Sequence, residues 1–225
     1  PVLALGHSLG EFSALVAVGA LDAIDAVELV NLRGKLMAEA CAKQEVGMLV
    51  SLGLDDETVE KICQEQRNAG FQVWPVNYNA DGQIVIAGIK KDLEALVPIL
   101  KEANAKRAML LDMSVASHCP LLESASAPLG AKLEEMLKET FIAPVVSNVT
   151  AQKYASKAEA LALLPKQLVE PVKYKQSIAN IDDEVDCYIE FGHGAVLKGL
   201  NKKATNKPHF NVSDMASLKA TIEAI

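Results

Sequence analysis

The chain has 225 residues, of which 50% are hydrophobic, so it is long and apolar enough to fold around a substantial core. Its formal net charge is -7 and it contains no long basic run, which argues against nucleic acid as a partner. No apolar stretch reaches the roughly 18 residues that a membrane span needs, and the first residues lack the basic start of a signal peptide.

The N-terminal elements are predicted to be a strand, a tight turn and a helix. Residues 2–5 form a short apolar run that stops at Gly6. Residues 9–18 form a nearly uncharged stretch, and Gly19 follows it as a helix C-cap. The turn between these two elements carries the sequence GHSLGE, with Ser8 near its centre.

A second helix is predicted from its N-cap, Asp22, to about Ala40. Arg33 falls on the apolar side of this helix, where an unpaired charge would destabilise the fold. It therefore needs a partner. The partner is either an internal Asp or Glu side chain or the carboxylate of a substrate, which a planar guanidinium binds through two parallel hydrogen bonds.

Residues 46–113 follow the order strand, helix, strand, strand, helix, strand, which is that of a ferredoxin-like unit. The elements are predicted at 47–53, 55–68, 71–79, 83–89, 90–105 and 106–113. Beyond this unit we predict a helix at 121–140, a strand at 144–150, a helical region at 158–181 broken at Pro165 and Pro171, and a buried strand at 186–192. A helix at 195–204, a strand near Phe210 and a helix from Ser213 or Asp214 complete the chain.

These elements predict an α/β fold with an inserted smaller unit. The core, at 1–42 and 113–225, is expected to be α/β-hydrolase-like and built on a parallel sheet. The ferredoxin-like subdomain is expected at 43–112. Because Pro1 leads directly into the first strand, we expect the core to be incomplete at its N-terminus.

The pentapeptide Gly6-His7-Ser8-Leu9-Gly10 fits G-x-S-x-G, the pattern of a serine nucleophile in a strand-to-helix turn. Flanking glycines let neighbouring backbone pass close, and the turn exposes the serine hydroxyl. The helix N-terminus and the Leu9 amide would then point at the oxyanion formed on a carbonyl that Ser8 attacks.

A serine hydroxyl needs a base at neutral pH, and histidine is the usual one. His7 would point away from Ser8 in a tight turn, and His209 lies in a polar loop. His118 lies where the inserted unit returns to the core, a junction at which ligand clefts form, and His193 lies in a glycine-flanked turn. The residues alone leave His118 and His193 as equal candidates.

Neither a disulfide nor a metal site is expected. The four cysteines are far apart and form no CxxC pair, which is typical of free thiols in the cytoplasm. No two of the four histidines stand at metal-ligand spacing.

In combination, GHSLGE, Arg33 in LVNLRGKLM, VASHC and LPKQLVEPVKY resemble the malonyl-CoA:acyl carrier protein transacylase family of fatty-acid synthesis. The resemblance extends over essentially all 225 residues. It implies that Ser8 accepts the acyl group, that His118 is its base, and that Arg33 binds the malonyl carboxylate.

The resemblance also implies supporting roles. The Leu9 amide would be one oxyanion donor, and the backbone carbonyl of Gln167 would orient the histidine. Asn148 and Ser117 would lie at the substrate. In the family a glutamine-containing motif near the N-terminus supplies the second oxyanion amide, and this sequence begins after that point.

The reaction implied is a ping-pong transfer. Ser8 takes the malonyl group from malonyl-CoA, and the phosphopantetheine thiol of acyl carrier protein takes it from Ser8. Coenzyme A enters as the substrate's thioester, and no cofactor is implied. Acyl carrier proteins are acidic, so docking needs a local positive surface, for which Lys198, Lys202 and Lys203 are the candidates. We expect a monomer.

Three other hypotheses remain open. VASH partly resembles a tetrapeptide of polyketide acyltransferases that prefer methylmalonyl-CoA. A serine esterase or lipase would use Asp186 and His193, but it leaves Arg33 and the inserted unit without a role. A catalytically silent subunit that binds carrier protein or coenzyme A is the third.

Overall fold

The computed structural model describes all residues from Pro1 to Ile225 and contains nine strands and nine α-helices. The strands are β1 Ala4–Leu5, β2 Val46–Leu52, β3 Val73–Ala80, β4 Gln83–Ile89, β5 Arg107–Leu110, β6 Val145–Val146, β7 Lys153–Tyr154, β8 Tyr188–Phe191 and β9 His209–Val212. The helices are α1 Gly10–Ala17, α2 Ala23–Cys41, α3 Asp56–Asn68, α4 Lys90–Glu102, α5 Glu123–Met136, α6 Lys157–Leu163, α7 Tyr174–Ile181, α8 Val196–Ala204 and α9 Met215–Ala224. Short 3-10 helices lie at Pro120–Leu122, Lys166–Leu168 and Asp182–Glu184.

The core has parallel strand pairs, but they are divided between two small sheets. β1 pairs in parallel with β6, and β6 pairs antiparallel with β7. β8 and β9 form a separate parallel pair. The α/β fold class is confirmed, whereas the one parallel sheet expected for the core is present as two.

The strand predicted at 144–150 is only two residues long because a turn begins at Ser147. Its backbone N–H donates to the Gln152 carbonyl, and its hydroxyl accepts hydrogen bonds from the Val149 and Thr150 amides. Side-chain oxygens of this kind compete with strand pairing for backbone donors. The turn brings Asn148 towards β1.

The inserted unit has the predicted element order, and its four strands are arranged as β3-β4-β2-β5 with every neighbouring pair antiparallel. This strand order, with α3 and α4 as the two helices, is that of a ferredoxin-like sheet. The limits proposed for it as a separate domain, 43 and 112, stay a prediction.

Both faces of this four-stranded sheet are buried. On β4, Ile84 and Ile86 pack in the cluster that contains Leu93 of α4, whereas Val85 and Ala87 belong to the main core cluster. Strands buried on both faces give continuous apolar runs such as QIVIAGI rather than an alternating pattern. The inserted unit therefore shares its hydrophobic core with the rest of the protein.

The predicted start of the second helix is confirmed, since Asp22 is the N-cap of α2, although its side chain makes no capping hydrogen bond and pairs with Lys138 at 2.6 Å. Another local prediction is wrong. The strand at 186–192 is not buried: β8 has one neighbouring strand, and the side chain of Phe191 is 71% exposed.

None of the nine helices is long and apolar enough to span a membrane.

Candidate active site

The turn that carries Ser8 is tight and strained. It connects β1 to α1, and Ser8 has a φ of 54°, in the left-handed region that non-glycine residues rarely adopt. A Cβ on Gly6 would lie 1.9 Å from the carbonyl carbon of Gly10, so position 6 requires glycine. A Cβ on Gly10 would meet nothing within 4 Å, so only the first of the two flanking glycines is needed for close approach.

His118 is the histidine that the fold brings to Ser8. Its Nε2 lies 2.7 Å from Ser8 Oγ, and its Nδ1 lies 2.6 Å from the backbone carbonyl oxygen of Gln167. Because a carbonyl can only accept, Nδ1 carries the hydrogen and Nε2 is free to accept the serine proton. His118 also has a left-handed backbone, with a φ of 59°.

The 3-10 turn Lys166–Leu168 positions Gln167 at the catalytic pair. The predicted break at Pro165 separates this turn from α6, and Gln167 becomes buried. Its backbone carbonyl therefore faces His118, as the resemblance implies.

The other three histidines are elsewhere. His7 Nε2 donates a hydrogen bond to Oδ1 of Asn79, in the inserted unit, at 2.7 Å, and His209 stacks on Tyr188. His193 is exposed, between two glycines with positive φ. The hypothesis of an esterase that uses Asp186 and His193 is wrong, because His118 holds the position of the base.

Burial and a neighbouring charge keep His118 neutral. Desolvation, followed by the positive charge of Arg33, lowers the pKa of His118 to about 3. The imidazole is thus in its proton-accepting form throughout the physiological pH range.

Arg33 lies beside Ser8 without a carboxylate partner. It is only 5% exposed, its Nη2 donates to Ser8 Oγ at 3.1 Å, and its guanidinium lies 5.6 Å from the ring centre of Phe12. Arg33 makes no ion pair, and its buried Nε has no hydrogen-bond partner. Burial lowers the pKa of Arg33 to about 10, so the group remains cationic at neutral pH. Of the two partners considered for Arg33, an internal Asp or Glu carboxylate does not lie within hydrogen-bonding distance.

Asn148 supports the turn rather than the substrate. Its Oδ1 accepts from the Ser8 amide at 2.6 Å, and its Nδ2 donates to the Gly6 carbonyl at 2.6 Å. Both polar ends of the side chain are therefore occupied, and only 3% of the residue is exposed. The expectation that Asn148 contacts substrate is not supported.

Glu11 is a buried residue of the site that sequence reasoning missed. Its carboxylate accepts hydrogen bonds from the Asn148 amide at 3.1 Å, from the Tyr154 hydroxyl at 3.1 Å and from Gln167 Nε2 at 2.7 Å. Burial raises the pKa of Glu11 to about 7, against the opposing effect of these donors and of Arg33. The available signal was its position as the one charged residue in an otherwise apolar helix, GEFSALVA.

Two further predicted residues remain untested. The Leu9 amide, first after Ser8, donates no hydrogen bond within the protein, as an oxyanion donor requires. Ser117 is half-buried and makes no side-chain hydrogen bond. Their assigned roles stay predictions.

A cleft of about 580 Å³ leads to this site between the inserted unit and the core. Helix α3 and strand β3 form one wall, and His118 and Pro120 lie on the other. The charged lining residues of α3 are Glu57, Glu60, Lys61 and Arg67. No group of three or more His, Cys, Asp or Glu side chains is placed to hold a metal ion, and the expectation of a metal-free site stays a prediction.

Known proteins are similar to this chain over nearly its whole length. The sequence profile of the acyl transferase domain matches residues 1–220. The chain belongs to this acyl transferase family. A relative from Haemophilus influenzae, a malonyl CoA-acyl carrier protein transacylase, is 40% identical over 99% of this chain and 72% of its own length.

Solved structures of acyl transferases agree with the fold. Malonyl-CoA:acyl carrier protein transacylase from Helicobacter pylori is 46% identical, with a TM-score of 0.95 over 100% of this chain and 71% of that one. A malonyl transacylase solved in complex with a type II polyketide acyl-carrier protein is 40% identical, with a TM-score of 0.95 over 100% of this chain and 73% of that one. The acyl transferase assignment therefore stands on both sequence and structure.

Proposed function

We propose that this protein transfers the malonyl group from malonyl-CoA to the phosphopantetheine thiol of acyl carrier protein, through a malonyl ester on Ser8. The observation that carries the proposal is the position of Arg33: a buried guanidinium without a carboxylate partner lies 3.1 Å from the hydroxyl that His118 contacts at 2.7 Å. A nucleophile beside an unpaired cation fits an acyl group that carries its own carboxylate.

In the first half-reaction, Ser8 Oγ attacks the thioester carbonyl and His118 Nε2 takes the hydroxyl proton. The carbonyl π electrons move to its oxygen, where the Leu9 amide stabilises the charge. The carbon–sulfur bond then breaks, the proton passes from His118 to the sulfur, and coenzyme A leaves as a thiol. The malonyl group remains as an ester on Ser8.

The second half-reaction runs the same steps with a new nucleophile. The phosphopantetheine thiol gives its proton to His118 Nε2 and attacks the ester carbonyl, and the proton returns to Ser8 Oγ as the carbon–oxygen bond breaks. The Nδ1–H bond to Gln167 keeps the imidazole in one tautomer for both halves.

Substrate charge and base strength are coupled in this site. The positive charge of Arg33 is one cause of the lowered pKa of His118, so a malonyl carboxylate bound to Arg33 offsets that effect. His118 becomes a stronger base when the correct acyl group is bound. An acetyl group, without a carboxylate, leaves the pKa low.

Docking of the acidic carrier protein is assigned to α8. Lys202 and Lys203 are exposed on this helix, Lys198 is half-buried, and Lys203 also donates to Gln83 at 3.2 Å. The four cysteines are free, which fits a reducing compartment, and we place the reaction in the cytoplasm.

Mass spectrometry of the intact protein tests the proposal. Malonyl-CoA should add one malonyl group, peptide mapping should place it on Ser8, and addition of carrier protein should remove it and yield malonyl carrier protein. Ser8→Ala is the matched control and should take up no malonyl group. An adduct that is lost to water at the same rate with and without carrier protein would instead indicate a hydrolase.

A further inference from the structure

Glu11 is the only Asp or Glu among the fully buried residues, at 1% exposed, and it makes no ion pair. A buried carboxylate without a direct cation destabilises a fold unless hydrogen bonds satisfy it. Here three donors do so, and one of them is the side chain of Gln167. Only the Gln167 side chain therefore separates the Glu11 carboxylate from the Arg33 guanidinium.

The Gln167 side chain forms a bridge between two opposite charges. Its Nε2 donates to Glu11 Oε2 at 2.7 Å, and its Oε1 accepts from Arg33 Nη2 at 3.4 Å. A guanidinium can only donate, so the amide oxygen faces Arg33, and the amide N–H is left to donate to the Glu11 carboxyl oxygen. The Nε2 also donates to the Ser8 carbonyl at 3.1 Å.

We propose that Glu11 is a positioning residue that sets acyl selectivity through Gln167. Its carboxylate holds the amide with the oxygen towards Arg33. The Gln167 amide also separates the Glu11 carboxylate from the Arg33 guanidinium. The guanidinium therefore stays available to the carboxylate of the acyl group.

Gln167 acts as a spacer between Glu11 and Arg33. This spacer explains how the buried charge of Arg33 can be partly offset while the guanidinium still binds substrate. A carboxylate in direct contact with Arg33 would stabilise the charge but would occupy its hydrogen-bond donors. With Gln167 between them, Glu11 offsets part of the charge at a distance, as its effect on the pKa of Arg33 indicates, and the buried Nε keeps no protein partner. The charge of Arg33 is therefore partly offset while the guanidinium keeps a donor for the substrate.

The test compares three variants by the ratio of kcat/KM for malonyl-CoA to that for acetyl-CoA. Glu11→Met keeps the length of the side chain but removes the acceptor, and the ratio should fall about tenfold or more, since a charge-assisted hydrogen bond that orients Gln167 is lost. Glu11→Gln keeps an acceptor oxygen and should retain the ratio within about threefold. Tyr154→Phe removes a different donor to Glu11 and should leave the ratio unchanged.

Several outcomes would overturn the proposal. They are an unchanged ratio in Glu11→Met, equal loss with both thioesters, an equal fall in Glu11→Gln, or a fall of the same size in Tyr154→Phe. If Glu11→Met does not fold, Gln167→Glu places a carboxylate directly on Arg33 and should lower the ratio at least as much; an unchanged ratio there refutes the spacer role.

This inference rests on the proposed malonyl transfer, and the two fail differently. If the unaltered protein forms no malonyl ester on Ser8, the proposed function is wrong. If it forms the ester and the variants above do not shift the ratio as stated, only the role of Glu11 is wrong.

Discussion

Replacement of Arg33 by methionine removes the guanidinium from the site while keeping most of the side chain's length. In the structure its Nη2 makes two contacts, at 3.1 Å and 3.4 Å, and its Nε makes none, so the group has donors available for an incoming carboxylate. Loss of one partner of a buried, hydrogen-bonded charge pair costs about 2–5 kcal/mol, and about 3 kcal/mol corresponds to roughly a 150-fold fall in kcat/KM for malonyl-CoA.

Acetyl transfer should not fall together with malonyl transfer. Arg33 lowers the pKa of His118 and donates to the Ser8 hydroxyl, so without it the base is stronger and the nucleophile less restrained. We expect the acetyl-CoA rate in Arg33→Met to be unchanged or higher than in the unaltered protein.

The assay follows release of the coenzyme A thiol from each thioester over a range of concentrations. Lys35→Met is the matched control, since Lys35 is an exposed cation on the same helix and should change neither rate. If Arg33→Met reduced malonyl and acetyl transfer by the same factor, the guanidinium would have a structural role and would not recognise the acyl carboxylate.

Three further outcomes are expected. Ser8→Gly should be more stable than Ser8→Ala by about 1 kcal/mol in urea unfolding, because glycine relieves the left-handed backbone, and neither should form an adduct; equal stabilities would contradict strain at this turn. The pKa of Glu11 in the folded protein is raised to about 7, above its ordinary value near 4.5. Protonated Glu11 therefore contributes stability that is fully present below about pH 4.5 and is lost as the pH rises through 7. The unfolding free energy of the unaltered protein minus that of Glu11→Gln should therefore fall by about 3 kcal/mol between about pH 4.5 and pH 7, and a flat difference would contradict the raised pKa. Reversal of Lys198 and Lys202 to Glu should raise KM for carrier protein and leave KM for malonyl-CoA unchanged; an unaltered KM for carrier protein would remove α8 as the docking surface.

The sequence predicts the order of helices and strands well where periodicity and turn residues act locally. The inserted unit shows this: the strand over 83–89 has the predicted bounds, and α3 begins after Asp55, whose side chain caps it. Errors occur where a residue distant in the sequence determines what a side chain contacts. The Asp22 side chain pairs with Lys138, 116 residues away, and makes no hydrogen bond to its own helix.

The catalytic pair could not be selected from the residues alone. His118 and His193 have similar local settings, and what separates them is the return of the chain from β5 to the core, which only the resemblance or the fold supplies. The supporting groups were harder still. Asn148 and Glu11 act through contacts that span 137 to 156 positions, and no local pattern encodes such distances.

The left-handed backbone at Ser8 limits which nucleophiles this scaffold can evolve or be given. A β-branched side chain is disfavoured at positive φ, so a threonine nucleophile, common in other hydroxyl chemistry, is not accessible at position 8 by a single substitution. Cysteine has an unbranched Cβ and meets no such barrier. Thiol variants are therefore the natural route to a redesigned acyl-transfer enzyme built on this chain.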